Sequence, residues 1–216
     1  PTCTRFAFQR GGATFLGASP ETLVTLADGR ARADALAGTT ARFDDDVRDA
    51  RARAALLASD KDLREHRAVV EAVVAVLAPL ARAVRANQAP TLKTLRNVHH
   101  LHTPIEADLD DAAHVLDLVA RLHPTPAVAG APRERALAWL AEHELDSRGW
   151  YAGPVGWFDA RGEGAFSVAL RAGVVSGARA WLYAGAGIVA GSDPRAEYAE
   201  TRAKHAPMLA ALEVTP

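Results

Sequence analysis

The chain has 216 residues, a formal net charge of −1 and one cysteine, Cys3. That length suits one large domain spanning 1–216 with a sizeable core. The balanced charge, with no basic block or stripe, argues against nucleic acid as a partner. A lone cysteine excludes an intrachain disulfide and fits a reducing, cytoplasmic setting.

In chain order, Phe6 to Gln9 and Ala13 to Leu16 read as strands around the turn signal Gly11-Gly12. Thr22 to Leu26 and Ala31 to Ala35 flank a second hairpin signal, Asp28-Gly29. Asp44 to Leu57 is Ala/Arg-rich and predicts a helix. Asp60 to Val84 carries the apolar stripe Val69, Val70, Val73, Val76, Leu77, Leu80, which predicts a long amphipathic helix capped by Ser59 or Asp60. Its longest apolar run, Val69 to Leu80 broken by Glu71, is too short to cross a bilayer, and no signal peptide is evident. Leu92 to His102 reads as one strand. Asp110 to Leu122 and Pro132 to Glu144 read as helices, with Pro132 suited to a first turn. Trp150 to Asp159, Gly164 to Ala172 and Ala180 to Ala184 are strand-like, and Ser192 to Leu212 is a final helix. Hairpins mixed with helices predict an α+β fold of layered, largely antiparallel sheets flanked by helices.

Two acidic pairs carry the strongest chemical signal. Asp62 and Glu65 lie in Lys61-Asp62-Leu63-Arg64-Glu65-His66, and Glu197 and Glu200 lie in a segment ending at Lys204. A spacing of three puts both carboxylates of a pair on one helical face. Two such faces brought together would make an oxygen-rich cage suited to magnesium and an anionic substrate. Taken singly, each pair also reads as a helix-dipole complement, and Glu200 to Lys204 as a surface ion pair. Ser19-Pro20-Glu21 reads as a turn or as a carboxyl held at a strand end for general acid work. His99-His100-Leu101-His102 invites a zinc reading, but no cysteine cluster or HExxH helix supplies further ligands. Gly185-Ala186-Gly187 lacks the third glycine of a dinucleotide loop and suits close backbone approach to a ligand. Arg171 ends the strand-like run Ser167 to Leu170, where its guanidinium could hold a carboxylate through two hydrogen bonds.

In order along the chain, Phe15 to Glu21, Leu36-Ala37-Gly38-Thr39, Lys61 to His66, Asn97 to Leu101, Arg148 to Trp157, Tyr183 to Val189 and Glu197 to Lys204 together resemble the chorismate-utilising enzymes. The segment Leu122-His123-Pro124-Thr125-Pro126-Ala127-Val128-Ala129-Gly130 is similar to that of isochorismate synthases, rather than of anthranilate, aminodeoxychorismate or salicylate synthases. The resemblance implies the fold of anthranilate synthase component I, incomplete at its N-terminal side, and an isomerase converting chorismate to isochorismate. It implies Glu21 as the general acid. It implies Glu65 and Glu200 as direct magnesium ligands, with Asp62 and Glu197 reaching the metal through water. Arg171 and Lys204 would bind substrate carboxylate. Gly38, Thr39, Gly185 and Gly187 would lie near the substrate, and His100 and Ala127 would face its ring. The family's water-activating lysine lies upstream of the Ser-Pro-Glu motif, and here no lysine precedes Lys61. The chain is therefore expected to correspond to the C-terminal half to two-thirds of such an enzyme. By itself it would have negligible activity, or act as a non-catalytic chorismate-binding piece. The product could serve menaquinone, siderophore or salicylate formation.

Overall fold

In a computed structural model, residues 3–110 and 113–212 are described. Among the described residues, eleven strands form two antiparallel sheets, as the hairpin signals suggested. The smaller sheet joins β1 (Thr4–Arg10), β2 (Ala13–Ser19), β10 (Ala172–Ser176) and β11 (Arg179–Tyr183), in that order. The larger runs β5 (Ala81–Ala86), β7 (Val98–Leu109), β4 (Arg30–Ala41), β3 (Thr22–Ala27), β9 (Gly164–Val168) and β8 (Pro154–Phe158). The short β6 (Thr91–Thr94) pairs with the other end of β7.

Helix α1 (Asp46–Leu57) is capped by the Asp45 side chain, which accepts from the Arg48 amide. Helix α2 (Asp60–Leu77) starts at Ser59, whose hydroxyl accepts from the Asp62 amide, and buries His66, Val69, Val73 and Leu77. Burying each of those aliphatic side chains contributes roughly 1.5–3 kcal/mol. They pack with Val24, Ala35, Ile105 and Ala107 of the larger sheet. Helix α3 (Val115–Leu122) adds Val115, Leu118, Val119 and Leu122 to the same core. A second cluster, Phe15, Val155, Ala169 and Ala172, fastens the smaller sheet to the larger through the β9–β10 connection. The last helix, α6 (Pro194–Ala211), buries only Glu197 and Met208 and touches β4 and β11. Between α3 and α6 lie α4 (Pro126–Ala129) and α5 (Arg133–His143).

Several sequence expectations need correction. The long helix stops at Leu77, and a 3-10 turn at Ala78–Leu80 leads into β5. Pro79 cannot donate to a continuing helix, and residues Ala81–Ala86 are claimed by the open edge of β7. The single strand predicted over Leu92 to His102 is a hairpin of β6 and β7. The strand predicted over Gly164 to Ala172 breaks after Val168, where the chain passes between sheets. Residues 150–152 are turn and 153 is a bend, so β8 begins only at Pro154. The helix predicted from Asp110 begins at Val115, and its predicted residues 111–112 lie outside the described ones. The four-residue α4 was not anticipated.

Candidate active site

A cavity of about 120 Å³ lies where the β2–β3 turn, β4, β7, α2, the β9–β10 corner and the middle of α6 meet. It is lined by Glu21, His100, Ala127, Arg171 and Lys204, by the backbone at Gly38, Thr39, Gly185 and Gly187, and by two of the four acids, Glu65 and Glu200. Asp62 and Glu197 do not line it. Asp62 stands beside Gly38 and receives the Ser59 hydroxyl, and Glu197 is buried against Lys61 at 2.5 Å. Among the described residues, no group of three or more His, Cys, Asp or Glu side chains is clustered for a metal ion.

Local backbone geometry aims each group. Ser19 is buried, donating to the Val168 carbonyl at 2.5 Å and accepting from the Glu21 amide at 3.2 Å. Glu21 is thereby turned inward at the end of β2, among groups that leave its carboxyl little water. Burial pushes its pKa up to about 7, against the pull of Arg171 and Lys204. At neutral pH such a carboxyl is poised to hold and give a proton.

Gly38 sits where the β4–β7 register slips between Ala37 and Thr39, with φ 75°. A Cβ there would come within 3.0 Å of the Asp62 Cβ, so the bulge brings α2 close to the sheet. Just beyond it, Thr39 Oγ1 and His100 Nδ1 are 3.0 Å apart. Burial first, and the charges of Arg171 and Lys204 next, push the His100 pKa down to about 3, so the imidazole is neutral.

Three described non-glycine residues have positive φ: Asp28, in its hairpin turn, Ala152 and Arg171. The latter two both line the cavity. The Ala152 amide donates to Ala169, and the Arg171 carbonyl accepts from Ala18, at 2.9 and 3.2 Å, so neighbouring strands hold both corners in place. A left-handed conformation costs a non-glycine residue about 1–2 kcal/mol, and it turns the Arg171 guanidinium into the cavity rather than along the sheet. Burial depresses the Arg171 pKa, while Tyr151, Glu21 and Glu200 oppose that shift.

The helical wall is electrostatically different. Burial, followed by the neighbouring Glu200 carboxylate, raises Glu65 to about 7. Glu200 is paired with Lys204 at 2.6 Å, and Lys204 donates to the Gly185 carbonyl at 2.9 Å. A Cβ at Gly187 would collide with the Glu65 carboxylate, so the loop runs directly over the acid. A half-buried pair of carboxyls, hard oxygen donors beneath a bare glycine, fits a small divalent cation such as magnesium. His99 and His102 are engaged elsewhere, with Asp49 and Asp34, so the histidine run does not converge on one point.

Sequence reasoning passed over Tyr151 and Arg148, both in the cavity wall. Tyr151 stacks on Tyr183 with ring centroids 5.3 Å apart. Arg148 grips Glu144 and donates to the Val128 carbonyl at 2.7 Å, tethering the loop that carries Ala127. Both lie in the Arg148 to Trp157 motif, which was the available signal.

Comparison with known proteins places this geometry. The chain is 50% identical over 207 residues to the salicylate biosynthesis isochorismate synthase of Pseudomonas aeruginosa, an alignment covering 96% of this chain and 44% of that protein. It superposes on DhbC from Bacillus anthracis, assigned as a 2,3-dihydroxybenzoate-specific isochorismate synthase, with TM-score 0.94 and 38% identity, covering 99% of this chain and 58% of that one. The menaquinone-specific isochorismate synthase MenF of Escherichia coli gives TM-score 0.85 at 38% identity, over 95% of this chain and 48% of that one. The chain thus spans about half the length of the relatives it matches. A family model described as chorismate binding enzyme matches residues 1–213, and the chain belongs to that family.

Proposed function

We propose that this chain carries the chorismate-binding region of an isochorismate synthase, an isomerase that uses magnesium. The carrying observation is that a buried carboxyl with a pKa near 7, two cations and a like-charge acid pair all face one small cavity. In the proposed reaction water enters at C2 of the ring and the C4 hydroxyl departs. Glu21 gives its proton to that hydroxyl, which leaves as water, and the proton lost by the entering water goes to a base. Arg171 and Lys204 bind the substrate's carboxylates, and their positive charge offsets its desolvation. Neutral His100, held by Thr39, offers the ring an uncharged polar edge. Glu65 and Glu200 would hold magnesium, with Asp62 and Glu197 behind them. Bound there, the metal supplies a Lewis acid that polarises the ring carboxylate.

The chain's three lysines are all engaged: Lys61 with Glu197, Lys93 with Asp34, and Lys204 with Glu200. None is left as a free amine to activate water. This favours a second reading for the 216-residue chain by itself, a chorismate-binding unit without turnover. Calorimetry of the purified chain with chorismate, with and without magnesium, tests the site, and chromatography for isochorismate tests the chemistry. Magnesium-dependent binding with negligible product is expected of the chain alone, and conversion is expected of the native gene product. Failure to bind chorismate with magnesium would refute the site. Aminated products from the native gene product would refute the assigned reaction.

A further inference from the structure

Next to the cavity, and not lining it, is a second charged cluster that the proposed reaction does not use. Asp34 on β4, Lys93 on β6 and His102 on β7 come from three adjacent strands. Side chains alternate along β7, so His102 shares a face with His100, and Lys93 pairs across the ladder with His100. Asp34 divides its oxygens: Oδ1 lies 2.9 Å from His102 Nε2, and Oδ2 lies 3.1 Å from Lys93 Nζ. All three side chains are only about one-fifth exposed, at 18%, 21% and 20% for Lys93, Asp34 and His102. Lys93 makes one more bond, donating to the Pro20 carbonyl at 3.2 Å.

That last bond gives the cluster its meaning. The Pro20 carbonyl and the Glu21 amide belong to one peptide unit. Ser19 Oγ takes its N–H and Lys93 takes its oxygen, so the plane that sets the direction of Glu21 is held from both ends. We infer that Lys93, anchored by Asp34 and His102, is the positioning residue that fixes Glu21 in the cavity and balances the charge beside it. This rests on Glu21 being the proton donor of the proposed function.

The charged and titratable groups acting on Glu21 come from several elements. Arg171 reaches it from the β9–β10 corner, Lys204 from α6, and Asp34 and Lys93 from the sheet. Tyr151 and His100 share the cavity wall with it. Asp34 and Lys93 oppose each other in their effect on the Glu21 carboxyl. The Asp34 carboxyl itself stays below the usual range, because hydrogen bonds from His102 and Lys93, with the lysine charge, outweigh its burial. A sheet-stabilising cluster alone would have no reason to end on the peptide before Glu21.

The test reads Glu21 directly and needs neither substrate nor turnover. The purified chain, labelled with 13C at glutamate carboxyls, is titrated by NMR, and the Glu21 resonance is identified by its loss in Glu21→Gln. Lys93→Met removes the cation and leaves Asp34 with His102 as its one remaining partner, so the Glu21 midpoint should rise. Asp34→Asn leaves the lysine uncompensated, so the midpoint should fall. Each shift should be on the order of half a pH unit, and the double variant should lie between. Lys93→Arg keeps charge and reach and should restore the midpoint, which guards against simple misfolding. Shifts in the same direction, or none beyond 0.1 unit in variants with native circular dichroism, would overturn the inference. Chorismate binding is measured separately, so the cluster and the proposed function can fail independently.

Discussion

The cavity has two walls built on different principles. The sheet wall, with Glu21, His100 and Arg171, is held by ladder pairing, a bulge and two strained corners. Its titratable groups are shifted chiefly by burial, which keeps Glu21 protonated near neutrality and His100 uncharged. The helical wall, with Glu65, Glu200 and Lys204, rests partly on α6, which buries little of itself. Its charges oppose one another, and its lysines are already drawn to its carboxylates. One wall is organised before any ligand arrives, and the other carries a repulsion that a cation would relieve. On the proposed function, proton transfer would fall to the sheet side and ligand-linked stabilisation to the charged side.

The largest effect expected of this division falls on Glu21. In the native gene product, Glu21→Gln should lower the rate of isochorismate formation by about 10²–10⁴-fold, the usual range for a lost general acid. Chorismate affinity should change little, because Arg171 and Lys204 remain. Steady-state kinetics with a binding titration checks both. A variant with near-normal turnover would remove the sheet wall from the chemistry.

A smaller effect should separate the walls thermodynamically. Magnesium at a hundredfold over its dissociation constant stabilises a folded chain by about 2.7 kcal/mol. For a domain of this size, that is a rise of roughly 5–10 °C in thermal midpoint. Glu65→Gln or Glu200→Gln should abolish the magnesium-dependent rise, whereas Glu21→Gln should leave it intact. Differential scanning fluorimetry in magnesium and in EDTA reads this without substrate. An undiminished rise in both acid variants would place the metal elsewhere.

Local chemistry made much of this architecture legible in the sequence. Gly11-Gly12 and Asp28-Gly29 marked their hairpins because such turns demand positive φ. The stripe of α2 marked its buried face because Val69, Val73 and Leu77 recur at helical spacing. The stripe overshot because Ala81–Ala86 has no strong preference of its own and is fixed by pairing with β7. The hairpin at β6 was hidden for the same reason. At the site, resemblance named most of the residues that gather in the cavity, but it also named Asp62 and Glu197, which do not line it, and gave no role to Tyr151 and Arg148, which do. It could not reveal that Lys61 turns to Glu197, 136 positions away, or that Lys93 reaches Pro20, 73 away. Those partners are decided by which strands and helices become neighbours.

The remaining effect is one of sign, and it tests the sheet wall by itself. Glu21 titrates near 4.5 when unfolded and near 7 when folded. Between those values the folded chain holds the extra proton, so its contribution to stability falls as pH rises, reaching its full cost above about 7. His100 behaves oppositely. It titrates near 6.5 unfolded and near 3 folded, so its contribution falls as pH drops below about 6.5. In EDTA, Glu21→Gln should therefore gain thermal midpoint over the parent chain progressively from pH 4.5 to 7, by up to several degrees. His100→Gln, whose amide can still meet Thr39, should gain on the parent as pH falls from 6.5 to 4.5. Melting curves at half-unit pH intervals would show two difference plots of opposite slope. Parallel slopes would mean that burial does not set the protonation of these two groups, and the contrast between the walls would lose its physical basis.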